Sequence, residues 1–209
     1  MKILFIGAHP DDIEFGCGGS LCRFAKAGHE IHIFIMTAGG VGGKMAVRRK
    51  EQQKSADMLG ATLHWGQFDD TRIPVSRELI EAVENKIAEI NPELVFTHFP
   101  EDTHQDHRAV SQAVVTACRY VSNVLFFEGP TTLNFLPTVF MGIDGLLPEK
   151  LRLLGCHRSQ VNRTHVTNLS IMEMAKSTAI FRGYQYRVKF AEGFVAHRFS
   201  LDCHLRPEK

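Results

Sequence analysis

Two short stretches carry residues that a folded core has no use for. His9-Pro10-Asp11-Asp12 breaks in directly after the apolar run from Ile3 to Ala8, and His98-Phe99-Pro100-Glu101-Asp102-Thr103-His104-Gln105-Asp106-His107 follows a second apolar run much later in the chain. Buried and unpaired, each of these ionisable groups would be costly, and a cation among them removes that cost. The pattern suggests two loops meeting over one metal ion. His9 and Asp12 lie three apart on one turn, and His107 opens the helix after the second cluster. Two imidazoles and a carboxylate are a common set for a catalytic Zn²⁺, which keeps its fourth position for water. The ion lowers the pKa of that water towards ~7. Asp11 is placed to take the water's proton as general base. His104 could donate to an oxyanion or a leaving amine. Asp106 could hold the ring of His104 or of His107 as a supporting carboxylate.

Each residue also has a blander reading. Asp11-Asp12 alone would be an ordinary N-cap pair at a helix start. His98, at the end of its strand, suits a structural histidine satisfied by backbone as well as a functional one. Arg48 and Glu51 are three apart on a charged helix, and from spacing alone they read as a surface ion pair. Cys17 reads as a small core filler, and Trp65 and the Phe pairs as core. Gly16, Gly18 and Gly19 do not complete GxGxxG because Leu21 stands at the third glycine, and Gly43-Lys44 lacks the flanks of a P-loop.

The elements that must carry these groups follow from periodicity. Strands are predicted at 2–8, 30–37, 62–68, 93–98 and 123–128, with helices from 16 to 26, 45–59, 76–90 and 107–121 between them. Past Gly129 the signals are a loop with a short strand over 130–143, helices at 148–157 and 168–182, and a late strand or strand pair over 189–201. Alternating strands and helices predict an α/β fold, Rossmann-like, with a mainly parallel sheet covered on both faces. Ligands bind such sheets at the carboxyl ends of the strands, where both clusters fall.

The 209 residues fit one domain, 1–209, and the formal charge of +1 shows no basic excess for nucleic acid and no polybasic block for a membrane surface. Five cysteines without a CxxC pair suit a reducing cytosol. The N-terminal apolar run is too short for a signal peptide, and no stretch reaches transmembrane length. The expectation is a soluble, cytoplasmic protein.

Taken together, AHPDDIEFGCGGS and HFPEDTHQDHRAV resemble the motifs of the LmbE/PIG-L-like zinc-dependent N-deacetylases. Glu14 fills the acidic place of HPDDxE. His98, Asp102, His104, Asp106 and His107 match HxxDxHxDH, with one extra residue after the first His. Arg48 to Gly60 resembles the family's RxxE…LG helix, His157-Arg158-Ser159-Gln160 its HxSQ segment, and Phe190 to Phe194 its (Y/F)AExF strand. The resemblance implies His9, Asp12 and His107 as ligands of one Zn²⁺, Asp11 as base, His104 on the oxyanion or amine, and Arg48 at the substrate or reaction centre. It implies an amino-sugar conjugate of N-acetylglucosamine as substrate, and small enzymes of this type often form homo-oligomers. Gly142-Ile143-Asp144 and Arg187 depart from the family in its substrate-facing parts, where Arg187 replaces a Gly.

Two other readings stay open at this level. A phosphoesterase could use the same His and Asp residues to hold two metals. A non-catalytic metal- or glycan-binding protein would need neither Asp11 nor His104.

Overall fold

The computed structural model describes residues 1–200. Its centre is a seven-stranded sheet in the order β3-β2-β1-β4-β5-β7-β6. The first five in chain order are β1 (Lys2–Gly7), β2 (Glu30–Ile35), β3 (Thr62–Trp65), β4 (Leu94–His98) and β5 (Val124–Phe127), and they run parallel. The late segment forms β6 (Val139–Gly142) and β7 (Ala191–Arg198), with β7 antiparallel between β5 and β6. The sheet is therefore parallel with an antiparallel edge, and the long predicted strand at 189–201 is the single strand β7; its last predicted residue, Leu201, lies outside the described residues.

Both faces of the sheet are covered, which is why the strands read as unbroken apolar runs. In β1, Leu4 and Ile6 join one core with Val95 of β4, against Leu79, Val83 and Ile90 of α3 (Arg77–Ile90) and Val110 and Val114 of α4 (Gln105–Ala117). Ile3 and Phe5 point to the opposite core, with Phe96 and Phe127, against Ile13, Leu21 and Phe24 of α1 (Asp12–Lys26). On that side also lie α2 (Met45–Leu59), α5 (Leu147–Leu154) and α6 (Ile171–Tyr186).

Helix α1 begins at Asp12 and not at Gly16. Its glycines are places of close approach. A Cβ on Gly16 would stand 2.5 Å from Phe127, and one on Gly19 2.6 Å from Ile143. The HPDD motif thus leads straight into a helix wedged against the sheet, with Asp11 as its N-cap and Asp12 as its first residue. Helix α4 also starts earlier than expected, at Gln105, so His107 sits inside its first turn.

The strand order reverses between β1 and β4, since β1 connects outward to β2 and β4 to β5. That crevice is where open α/β sheets bind ligands. The two motifs follow the two strands that border it.

Candidate active site

At the carboxyl end of β1 the chain turns into Asp11, whose φ of 93° is a left-handed conformation that a non-glycine residue rarely adopts. Asp11 occupies the N-cap position of α1 yet makes no capping bond. The plain N-cap reading therefore fails. Its carboxylate faces Arg48 Nη2 at 3.5 Å, and its backbone N–H donates to Gln52 Oε1. Burial raises its pKa to about 6, partly offset by Arg48 and His157. Such a group is largely ionised at neutral pH and close enough to it to exchange a proton.

Asp12 is the hub. One oxygen accepts from the His9 backbone N–H at 2.7 Å and lies 3.5 Å from His9 Nδ1; the other lies 3.4 Å from His107 Nε2. Burial works against its charge, but the His107 and His98 imidazoles hold its pKa well below the usual range.

The remaining ring nitrogens decide what each histidine can do. His9 Nε2 is 3.1 Å from both Asp70 and Asp106 carboxylates. His107 Nδ1 is 3.2 Å from Asp102. Both rings thus turn one nitrogen to Asp12 and the other to a supporting carboxylate, the arrangement that fixes a metal-ligating tautomer. Donor atoms on neighbouring corners of a tetrahedral zinc with bonds of ~2.0–2.1 Å stand about 3.3–3.4 Å apart, and each ring nitrogen lies near that distance from a different oxygen of Asp12. The donor set therefore fits a divalent ion. Single donor atoms lie within 4.8 Å of one another in two groups that share His107, one with His9 and His104 and the other with Asp12 and His98, so His9, Asp12 and His107 are divided between them.

His98 is held otherwise. Its Nε2 accepts from the Ala8 N–H at 3.0 Å, so the lone pair that a metal would need is occupied by backbone. Burial and His107 lower its pKa to about 4, and the ring stays neutral. His104 caps α4, its Nδ1 accepting from the Asp106 N–H at 3.2 Å. Burial, His9 and His107 lower its pKa. A neutral ring that accepts at Nδ1 carries its proton on Nε2, so His104 is a donor without being charged.

Asp106 differs from expectation. It supports neither His104 nor His107 but His9, while accepting from the Thr71 N–H at 2.8 Å and the Ile73 N–H at 3.2 Å. The reason is that α4 turns this side chain towards the loop after β3.

The surface ion pair of Arg48 and Glu51 is also overturned. Arg48 is only 4% exposed and threads the glycine loop, donating to Gly39 O and Pro10 O. A Cβ on Gly39 would fall 1.9 Å from its guanidinium, which explains the glycine there. Glu51 instead accepts from the Ser159 N–H and hydroxyl at 2.8 and 2.6 Å. Behind it, fully buried Glu14 accepts from Gln52 and Ser55, and His157 Nε2 approaches it at 3.4 Å. The α2 and HxSQ segments are thus stitched together behind Asp11. Cys17 is core, and Trp65 is half-buried under Arg49.

These groups line a cavity of about 340 Å³, with Arg48, His104, Thr131 and Arg163 on its walls. Its volume is in the range of small-ligand sites, roughly 300–1,000 Å³. Asp70 and Thr131 were not singled out from the sequence. The available signal was position alone, since both sit in loops following strands of the same rim.

Comparison with known proteins agrees with this geometry. The family model "PIG-L: GlcNAc-PI de-N-acetylase" matches residues 4–118, a little over half of the chain. The uncharacterized deacetylase YaiS of Escherichia coli K12 is 40% identical over 168 residues, covering 75% of this chain and 90% of that protein. The N,N′-diacetylchitobiose deacetylase of Pyrococcus horikoshii superposes with a TM-score of 0.82 at 25% identity, covering 93% of this chain and 83% of the other. The 4-carboxy-2-hydroxymuconate hydratase GalB of Pseudomonas putida, 19% identical, has a TM-score of 0.82 over 100% of this chain and 98% of its own, so the fold alone serves more than one reaction. Motifs, sheet order and family match converge: the chain belongs to the PIG-L family of de-N-acetylases.

Proposed function

We propose that this protein is a metal-dependent N-deacetylase that removes the acetyl group from an N-acetylglucosamine-type conjugate, with residues 1–209 forming one catalytic domain. The observation that carries this reading is the Asp12 carboxylate set between His9 Nδ1 and His107 Nε2, each ring backed by its own carboxylate. His9, Asp12 and His107 would hold one divalent ion, with zinc the first choice for this donor set. When bound, such an ion polarises an amide carbonyl and makes water acidic at neutral pH.

The chain's own residues supply the rest. Asp11 takes the proton of the attacking water, and the water oxygen bonds to the acetamide carbon. The Nε2–H of His104 donates to the oxyanion that develops. Arg48 keeps Asp11 ionised and anchors the glycine loop beside it. The C–N bond breaks, the proton held by Asp11 passes to the departing nitrogen, and a free amine and acetic acid leave, the acid giving its proton to solvent as acetate.

The third cluster, His9 with Asp70 and Asp106, supports one ion and not two. It lies on the far side of the His9 ring, and its carboxylates already accept from the Val41, Gly42, Thr71 and Ile73 amides. That weakens the two-metal phosphoesterase reading. No helix of the described residues is long and apolar enough to cross a membrane. The test is to follow acetate and free amine from a panel of N-acetylglucosamine conjugates with zinc-loaded protein. Release from at least one conjugate is expected. Turnover of phosphoesters without any acetate release would overturn the proposal.

A further inference from the structure

Asp102 is only 3% exposed, and both of its oxygens accept hydrogen bonds. Oδ1 accepts from the His104 N–H at 2.8 Å and the Thr131 hydroxyl at 2.6 Å. Oδ2 accepts from the Thr132 hydroxyl at 3.0 Å and faces His107 Nδ1 at 3.2 Å. The backbone adds to this. Thr103 N–H donates to Thr131 O and Leu133 N–H to Glu101 O, and Asp102 pairs with Thr132 as an isolated bridge. Thr131, with Pro130, is at the same time part of the cavity wall.

The opposite wall repeats the device. Asp70 faces His9 Nε2 at 3.1 Å through one oxygen, and with the other accepts from the Val41 and Gly42 amides, which also line the cavity. Each imidazole is therefore backed by a carboxylate whose other contacts belong to a stretch of wall. On the Asp102 side that contact is a side chain, the Thr131 hydroxyl, which can be deleted without disturbing the backbone.

We propose that Thr131 is a positioning residue for His107, acting through Asp102, so that wall and ligand are set by one hydrogen-bonded unit; this rests on the ligand assignment proposed above. Bonds to both oxygens hold this carboxylate against rotation about its Cβ–Cγ bond. Removing the shortest of them leaves Oδ1 held by the His104 N–H alone and loosens the seat of the His107 ring. The hydroxyl proton of Thr131 is committed to Asp102, so it is not a donor to substrate.

The test compares Thr131→Val, which keeps the shape and removes the hydroxyl, with Thr131→Ser, which restores it, and with Asp102→Asn. Zinc affinity is measured by chelator competition without substrate, and kcat and KM follow on the loaded proteins. Loss of a direct supporting partner typically weakens metal binding by about 10–100-fold. Thr131→Val, one bond further out, is expected to raise the zinc Kd about 3–10-fold and lower kcat with KM little changed, and Thr131→Ser to recover both. Should the valine variant not fold, Thr131→Ala, which removes the hydroxyl with less bulk, is expected between wild type and Asp102→Asn. Unchanged zinc affinity in Thr131→Val, with or without a raised KM, overturns the proposal. Wild-type protein that binds no zinc overturns the metal site itself and this inference with it. Wild-type protein that binds zinc but releases no acetate overturns only the reaction, and the order of affinities still decides the role of Thr131.

Discussion

Asp106→Asn is the perturbation whose consequences the geometry spells out most fully. The carboxylate accepts from Thr71 N–H at 2.8 Å and Ile73 N–H at 3.2 Å, and faces His9 Nε2 at 3.1 Å. Asparagine keeps the shape but only one accepting oxygen, so one backbone N–H is left facing an amide NH₂. That loss costs about 1–3 kcal/mol of stability. For the metal, losing a supporting carboxylate typically costs about 10–100-fold in affinity, or about 1.4–2.8 kcal/mol. Here Asp70 still faces the same nitrogen at 3.1 Å, so the lower end is expected, about tenfold. Asp70→Asn alone should cost a similar factor. The double variant should lose more than the product of the two, because each carboxylate covers for the other. Chelator competition at neutral pH gives the affinities, and thermal melting of metal-free protein gives the stability. A lower melting temperature with unchanged zinc affinity in both single and double variants would refute the reasoning. His9 would then be oriented by something else, and Asp106 would serve only the 71–73 loop.

Three further outcomes follow from other parts of the structure. Lys150→Met breaks a buried pair in which Nζ lies 2.6 Å from Glu192, itself accepting from the Gly19 and Ser20 amides; urea unfolding should show a loss of about 3–5 kcal/mol, and a loss below about 1 kcal/mol would mean that those amides satisfy the carboxylate alone. Arg187 closes α6 with a φ of 65°, so Arg187→Gly should raise stability by about 0.5–1 kcal/mol; a lowered melting temperature would show that the contact of Arg187 with Tyr184 outweighs the strain. Burial alone would lower the pKa of His107, but Asp12 and Asp102 push it to about 9 in the metal-free site. A ligand must shed that proton, so zinc affinity should rise with pH through neutrality and level off above about 9. Affinity independent of pH between 6 and 9 would remove His107 from the ligand set.

The sheet and both motifs were legible because their signals are local. Ile3 to Ile6 form an unbroken apolar run because both faces of β1 are covered, and chemistry breaks in where the strand ends. The α1 start was misplaced because the stretch from Asp11 to Phe15 was read with the loop, whereas the helix already begins at Asp12; Gly16 and Gly19 lie inside it for contact with Phe127 and Ile143, partners far away in the chain. Long-range partners explain the other gaps as well. Nothing near Asp106 in sequence says that its acceptors face Thr71 and Ile73, and nothing near Arg48 says that it threads the glycine loop. Asp70 and Thr131 stand alone in their loops and acquire meaning only through His9 and Asp102. The family resemblance placed Arg48 at the substrate or reaction centre where spacing placed it on the surface, and the structure buries it beside Asp11 on the cavity wall.

The central claim is that Asp11 acts as a base beside a metal that it does not hold. Its most direct test is Asp11→Asn, with zinc per chain and kcat for acetate release measured on one preparation. The expected result is one zinc per chain, as in wild type, with kcat lowered by about 10²–10⁴-fold. Near-wild-type turnover, or zinc lost together with activity, would contradict it.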